Sequence, residues 1–262
     1  MSQNDVLFSV FTKPWMDLSV SQLGAFVSGM GFNGVEFPVR PGYQVEPENV
    51  GRDLPELARQ LADYDVRITS VAGPTDEATM AACAEAGVPL IRICVDIGEG
   101  GYMENEARAQ REFDTLVPLL DKHAITLGIQ NHSGRYVCNA MGMRHLMEKY
   151  DPRHIAAVWC AAHNALDGES PDLGLDIVWS HLSQVKFKNA FWRRKTGPEA
   201  EDMQWSIYWT SGRQGLAAWP LVADELKKRC FKGVVCLDAE YTDHAATDRL
   251  IAADIAFAKS LF

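Results

Sequence analysis

Short apolar runs alternate with longer amphipathic stretches along the chain. The runs, rich in β-branched and aromatic residues, are LFSVFT (7–12), GVEFPV (34–39), RITSVAG (67–73), LIRICVD (90–96), ITLGIQNH (125–132), IAAVWC (155–160), LSQVKFKN (182–189) and VVCLDAEY (234–241). Stretches with helical periodicity lie between them, among them 54–64, 104–123 and 219–229. This alternation predicts a parallel sheet with crossover helices.

The number of units decides between the two common arrangements of such a sheet. Eight strand–helix units in 262 residues suit one closed barrel, which takes about 250 residues. An open doubly wound sheet is the alternative, but the Gly-rich GxGxxG turn often found in such folds is missing from the sequence. We therefore predict an α/β fold, a single (β/α)8 TIM-barrel domain over residues 1–262.

Residues 190–216 form an unusually long connection between the seventh strand and its helix. They are rich in tryptophan, with Trp192, Trp205 and Trp209. Connections of this length inside a compact domain are usually functional. Aromatic faces stack on the C–H surfaces of sugars, which makes Trp192 a candidate substrate contact. A dimer contact or a small satellite core is an equally good interpretation.

Polar residues recur at alternate positions in the predicted strands. Side chains alternate between the two faces of a strand, so the apolar set marks the face covered by helices. The opposite set points into the barrel, and its charged or hydrogen-bonding members include Glu36, Arg92, Asp96, Gln130, His132, Lys186, Lys188, Asp238 and Glu240. Buried charges are costly unless paired or used, and these gather near the strand C-termini, where barrel enzymes place their active sites.

This set predicts a site at the barrel mouth. We expect Gln130, Glu240 and one of the two lysines, Lys186 or Lys188, to converge in one pocket. Structural ion pairs are the competing interpretation for part of the set, with Lys186 paired to Asp238 and Arg92 paired to Glu36.

Composition narrows the classes of partner. A formal charge of −10 disfavours nucleic acid, and the chain has no apolar run of the roughly 20 residues that span a membrane. The N-terminus lacks the features of a secretory signal, and six cysteines without a CxxC pair suggest free thiols. We expect a cytoplasmic protein with a small sugar-like substrate and no nucleic-acid or membrane partner; a homo-oligomer remains open.

Several segments, taken in their order and spacing, carry a family resemblance. They are GFNGVEFPVRPG, GIQNHSG, WCAAHNALDGE, VKFKN and the closing GRQGLAAWPLVADELKKRCFKGVVCLDAEY. Together they resemble the xylose-isomerase-like family of sugar and sugar-phosphate isomerases and epimerases, over nearly the whole chain. The resemblance implies a TIM barrel and proton transfer beside a carbonyl group.

The resemblance also implies a metal site, from which this sequence departs. Metal-dependent members hold a divalent ion with Glu, Asp, His and Glu, and the first three positions correspond here to Gln130, Cys160 and Lys186. Mg²⁺ and Mn²⁺ prefer carboxylate oxygen, and a lysine ammonium repels a cation. Zn²⁺ could use Cys160, His163 and one acid, but the spacing is no recognised zinc signature. We expect weak or no metal dependence.

The predicted catalytic residues are Glu240, Lys188 and His132. Glu240 is the candidate general base, with a pKa raised by desolvation, and its alternative role is an ion pair with Lys186 or Lys188. Lys188 would neutralise an enolate. His132 would hydrogen-bond substrate hydroxyls. The predicted substrate-binding residues are Glu36, Arg92, Gln130, His163, Lys186, Asp238 and Trp192.

The leading hypothesis is isomerisation or epimerisation of a small keto- or aldo-sugar or a derivative. A lyase or dehydratase acting on a keto-sugar begins with the same proton abstraction and is the first alternative. A sugar-binding or subunit protein that has lost catalysis is the second, since the metal-ligand positions are altered.

Overall fold

The computed structural model describes residues 6–262, and within them eight parallel strands close into a barrel. The strands are β1 (Leu7–Phe11), β2 (Gly34–Pro38), β3 (Arg67–Ala72), β4 (Leu90–Ile93), β5 (Thr126–Gln130), β6 (Ile155–Cys160), β7 (Leu182–Phe187), β8 (Asn189–Arg194), β9 (Trp205–Thr210) and β10 (Val234–Asp238). The barrel order is β1-β10-β7-β6-β5-β4-β3-β2, while β8 and β9 form a separate hairpin. The predicted TIM barrel is confirmed.

Helices surround the barrel. They are α1 (Val20–Gly29), α2 (Val50–Ala62), α3 (Glu77–Glu85), α4 (Tyr102–His123), α5 (Ala140–Met147), α6 (Ala161–Leu166), α7 (Pro171–Val178), α8 (Trp219–Lys228) and α9 (Thr247–Lys259), with short 3-10 turns at Lys13–Trp15, Pro47–Asn49, Trp179–His181 and His244–Ala246. Side-chain caps fix several starts: Asp76 accepts from the Thr79 amide, and Asn139 from the Gly142 amide. No helix within residues 6–262 is both long and apolar enough to cross a membrane.

The apolar positions of the strands pack under the helices. Phe37, Leu127, Val185 and Leu237 are all completely or almost completely buried in one continuous core. The predicted strands overshoot their C-terminal ends, however: β5 ends at Gln130 and not at residue 132. The alternation of side chains continues after ladder hydrogen bonds stop, so pattern alone cannot locate the end. These overshooting residues line the barrel mouth.

The long connection after β7 is a two-stranded antiparallel hairpin, in a register that pairs Asn189 with Thr210 and Arg194 with Trp205. Asn189 fixes the base of the hairpin. Its amide nitrogen donates to the carbonyls of Gly212 and Ala217, at 2.8 and 2.9 Å, and its amide oxygen accepts from the Ala217 N–H. A Cβ on Gly215 would lie 2.1 Å from that oxygen, which explains the glycine there.

Candidate active site

An open cavity of about 740 Å³ lies at the C-terminal ends of the barrel strands. Predicted site residues on its wall are Arg92, Gln130, His132, His163, Lys188, Asp238 and Glu240. A second cavity of about 660 Å³ adjoins it and shares Lys13, His132, Lys188 and Glu240. The predicted convergence of Gln130, a lysine and Glu240 is therefore confirmed with Lys188 as the lysine.

Below this cavity, a polar layer centred on Glu36 closes the barrel interior. The carboxylate of Glu36 accepts from Arg92 Nη2 at 2.5 Å, Lys186 Nζ at 2.7 Å and, at 3.1 Å each, Ser70 Oγ and Gln184 Nε2. These donors come from β3, β4 and β7, so one carboxylate joins strands on opposite sides of the barrel. We call Glu36, Ser70, Arg92, Gln184 and Lys186 the lower layer.

Electrostatics keep the lower layer ionised. Burial would raise the pKa of Glu36, but Arg92 and Lys186 outweigh it and hold that pKa well below its usual value. Burial would lower the pKa of Lys186, yet Asp238 and Glu36 raise it above the usual range of a lysine. A lysine held as an ammonium ion is a poor nucleophile, so this geometry disfavours a Schiff base at Lys186.

Two predicted substrate contacts therefore prove wrong. Glu36 and Lys186 have no exposed surface, and neither lines a cavity, because each is enclosed by partners in the lower layer. The competing interpretation is confirmed for both pairs: Arg92 contacts Glu36, and Lys186 Nζ lies 2.5 Å from Asp238 Oδ1. Arg92 lines the cavity, and its guanidinium pairs with Glu36 in the lower layer.

Above the lower layer, two lysines hold Glu240. Lys188 Nζ lies 2.6 Å from Oε2 of Glu240, and Lys13 Nζ lies 2.5 Å from Oε1. The Lys188 ammonium also sits 3.8 Å from the centre of the Trp209 ring. Burial would raise the pKa of Glu240, but the two ammonium groups lower it well below its usual value. The expectation of a raised pKa is wrong, whereas the alternative of an ion pair with Lys188 is confirmed.

The backbone of one residue, Ser133, fixes the tautomers of two neighbouring histidines. The Ser133 carbonyl lies 2.9 Å from His132 Nδ1, which must therefore carry the hydrogen and leave Nε2 as a bare acceptor. The Ser133 amide N–H donates to His163 Nδ1 at 3.1 Å, so in a neutral His163 the hydrogen sits on Nε2. The two rings stack with centres 4.1 Å apart.

Both histidines are held neutral. Desolvation is the main cause that lowers the pKa of His132, and the nearby Lys188 ammonium lowers it further. The same two causes lower the pKa of the more deeply buried His163 more strongly. His163 Nε2 and Gln130 Oε1 are buried without a hydrogen-bond partner in the described part of the chain. We call His132, His163, Lys188 and Glu240 the upper layer.

The predicted tryptophan contact, Trp192, lines neither cavity. Its side chain is 44% exposed, and its indole N–H donates to the Leu166 carbonyl. Trp209 on the partner strand lines the second cavity instead. Lys13 was also missed, because it begins the 3-10 turn after β1 and so lies beyond the strand whose alternation marks the inward face.

The side chains at the family's metal positions do not fit a divalent ion. No group of three or more His, Cys, Asp or Glu side chains within residues 6–262 could hold one. Cys160 is buried against Ala162, Leu166 and Ala190, and desolvation raises the pKa of its thiol to about 11. The ammonium of Lys186 stands at the third position. The two remaining acids, Asp238 at the end of β10 and Glu240 just after it, are paired with lysines.

Fold and sequence together define a class of protein. The chain belongs to the xylose isomerase-like TIM barrel family, whose profile matches residues 25–261. No curated protein sequence matches it. Among solved structures, it is similar to D-psicose 3-epimerase from Clostridium cellulolyticum H10 at 11% identity, with a TM-score of 0.73 and 97% and 99% of the two chains covered.

Two further structures are equally similar. One is 3-keto-D-glucoside 4-epimerase, YcjR, from E. coli, with 11% identity, a TM-score of 0.74 and 97% and 99% of the two chains covered. The other is the "probable 3-DHS dehydratase AsbF" from Bacillus anthracis, with 13% identity, the same TM-score and 97% and 98% covered. At these identities the likeness shows the fold.

Proposed function

We propose that the protein is an isomerase or epimerase that moves a proton beside the carbonyl group of a small keto- or aldo-sugar. One observation carries the proposal. The backbone N–H and C=O of Ser133 hold two neutral histidines in opposite tautomers beside a lysine ammonium, at the mouth of the barrel. This arrangement supplies a proton acceptor, a hydrogen-bond donor and a fixed positive charge, which are what enolisation of a sugar requires.

His132 is the proposed base. Its bare Nε2 accepts the proton from the carbon beside the carbonyl, and the carbonyl oxygen gains the negative charge of an enediolate. Its lowered pKa keeps the imidazole neutral at pH 7, so the lone pair of Nε2 is free to accept a proton. Return of the proton to the former carbonyl carbon, with the hydroxyl proton of the neighbouring carbon passing to the anionic oxygen, gives an isomer. Delivery of a proton from solvent to the opposite face of the original carbon, while His132 keeps the proton it removed, gives an epimer.

Lys188 and His163 are proposed to stabilise the enediolate. Lys188 lines both cavities with its ammonium fixed by Glu240 and by the Trp209 ring, so little reorganisation is needed when charge develops. The N–H at Nε2 of His163 is buried without a partner in the described part of the chain, and His163 lines the larger cavity; we propose that this N–H donates to an oxygen of the substrate. Glu240 then acts as a positioning residue for Lys188, because a carboxylate with a lowered pKa is a weak base.

The family and its neighbours support this reaction class. Two of the similar structures are named as sugar epimerases. Dehydration of a keto-sugar shares the first proton transfer, and the name of a third neighbour keeps that reaction as the alternative outcome.

The test is deuterium exchange from solvent. A panel of aldoses and ketoses is incubated with the protein in D2O, and proton NMR follows label at the carbon beside the carbonyl. We expect labelled substrate and an isomeric product with the wild type, and a loss of about 10²–10⁴-fold in His132→Gln. His145→Gln, an exposed histidine paired to Glu106 outside both cavities, is the matched control and should exchange normally.

Three results would contradict the proposal. Equal exchange in wild type and His132→Gln removes His132 as the base. A product lacking the elements of water assigns the protein to the dehydratases. Binding of sugars without label in any of them favours the non-catalytic alternative.

A further inference from the structure

We propose that the substrate is anionic, a sugar acid whose carboxylate is bound by Arg40. The inference rests on the proposed function for the sugar part of the substrate, and on the charges of the cavity for the carboxylate. Arg40 follows β2 and lines the larger cavity, and it has no part in the proposed proton transfer.

The balance of charges around the cavity is positive. Five cations line it or lie directly beneath it, against four carboxylates in the same region: Lys13, Arg40, Arg92, Lys186 and Lys188 face Glu36, Asp96, Asp238 and Glu240, of which Asp96 is exposed. A local positive surplus in a chain with a net charge of −10 favours an anion at this place.

Arg40 accounts for the surplus. Lys13 and Lys188 share Glu240, and Arg92 and Lys186 share Glu36. Arg40, in contrast, has no carboxylate within ion-pair distance among residues 6–262. Its guanidinium lies 6.0 Å from the centre of the Phe11 ring.

The surroundings of that ring explain why an anion would be stabilised there. The guanidinium of Arg92 and the ammonium of Lys186 lie 5.1 and 4.8 Å from the same ring centre. Three cations thus surround one buried phenyl group. Arg92 and Lys186 share Glu36, and Lys186 also pairs with Asp238, whereas Arg40 has no carboxylate partner within residues 6–262. An added carboxylate beside Arg40 would offset the mutual repulsion of these cations.

The backbone holds Arg40 in place. The N–H of Arg40 donates to the Val45 carbonyl at 3.3 Å, which closes a turn through Pro41 and Gly42. Gly42 has φ +81°, a conformation that favours glycine, and its N–H donates to the side chain of Glu46 at 3.1 Å. A guanidinium on a fixed turn is prepared for a bidentate pair with a planar carboxylate. The single positive charge of the unpaired guanidinium is balanced by the single negative charge of a carboxylate.

The test compares matched sugars by isothermal titration calorimetry. D-Glucuronate is compared with D-glucose, and 5-keto-D-gluconate with L-sorbose, since each pair differs only by a carboxylate in place of a hydroxymethyl group. We expect each acid to bind roughly tenfold to 100-fold more tightly than its neutral partner, the range of a charge-assisted hydrogen bond. Arg40→Gln should abolish that preference without weakening the neutral sugar, and the exposed control Arg111→Gln should retain it.

Several outcomes would overturn the inference. They are a neutral sugar binding as tightly as its acid, a preference that survives in Arg40→Gln, no binding of either acid, and tighter binding of D-glucose 6-phosphate than of D-glucuronate. Binding requires no turnover, so the two proposals fail separately. An anion preference without deuterium exchange removes only the proposed reaction, and exchange of neutral sugars without an anion preference removes only the carboxylate.

Discussion

The lower and upper layers of the barrel interior use similar residues in opposite ways. In the lower layer every oxygen of Glu36 has a donor, and Glu36 and Lys186 are completely buried. In the upper layer, one ring nitrogen of His163 has no partner, Glu240 is 26% exposed, and all four members line a cavity. Saturation of hydrogen-bonding groups therefore separates side chains that hold the barrel together from side chains available to a ligand.

The largest expected effect is on stability and belongs to the lower layer. Glu36→Gln leaves two buried cations, Arg92 and Lys186, with one carboxylate fewer, so we expect a loss of about 3–5 kcal/mol in the free energy of unfolding. Urea denaturation measures it. Glu77→Gln, which breaks an exposed pair with Lys122, is the control and should unfold near the wild-type midpoint. A Glu36→Gln protein as stable as wild type would show that the lower layer is not structural.

The next effect is on turnover and belongs to the upper layer. Lys188→Met keeps the length and apolar stem of the side chain but removes the charge that faces the enediolate. We expect kcat to fall by about 10²–10³-fold, as for loss of one oxyanion donor. Steady-state kinetics on the substrate found by deuterium exchange provide the measurement. A kcat within a few-fold of wild type would exclude Lys188 from the reaction.

A smaller effect is expected at Glu240. Glu240→Gln keeps the size of the side chain and loosens Lys188, while His132 remains the base. Because the Lys188 and Lys13 pairs are partly solvated, we expect kcat to fall by about tenfold at most. A collapse of 10²–10⁴-fold in the same assay would instead return Glu240 to the role of general base.

The sequence predicted the barrel and the face of each strand, but not the level at which each charge lies. Alternation places Lys186 and Lys188 on one face equally well, yet one is sealed beneath Phe11 and the other lines both cavities. Partners across the barrel depend on strand order and register, which alternation does not contain. For that reason Glu36 was mistaken for a substrate contact.

Contacts of side chains with the local backbone could not be predicted from the alternation of polar and apolar residues either. The tautomers of His132 and His163 depend on the backbone N–H and C=O of Ser133, and the place of Trp209 depends on the pairing of a hairpin whose strands were not predicted. The altered metal positions, in contrast, could be compared directly with the family pattern. The expectation of weak metal dependence stays a prediction that metal analysis and chelation can test.

The most direct test of the account is the protonation of the two histidines in the upper layer, measured by nitrogen-15 NMR of the imidazole rings. At pH 7 we expect both rings to be neutral, with the hydrogen on Nδ1 in His132 and on Nε2 in His163. On acidification, His132 should become protonated only below the usual histidine pKa of 6.5, because desolvation and Lys188 lower its pKa. Lys188→Met should move that titration to higher pH. A doubly protonated His132 at pH 7, or the same tautomer in both rings, would contradict the account.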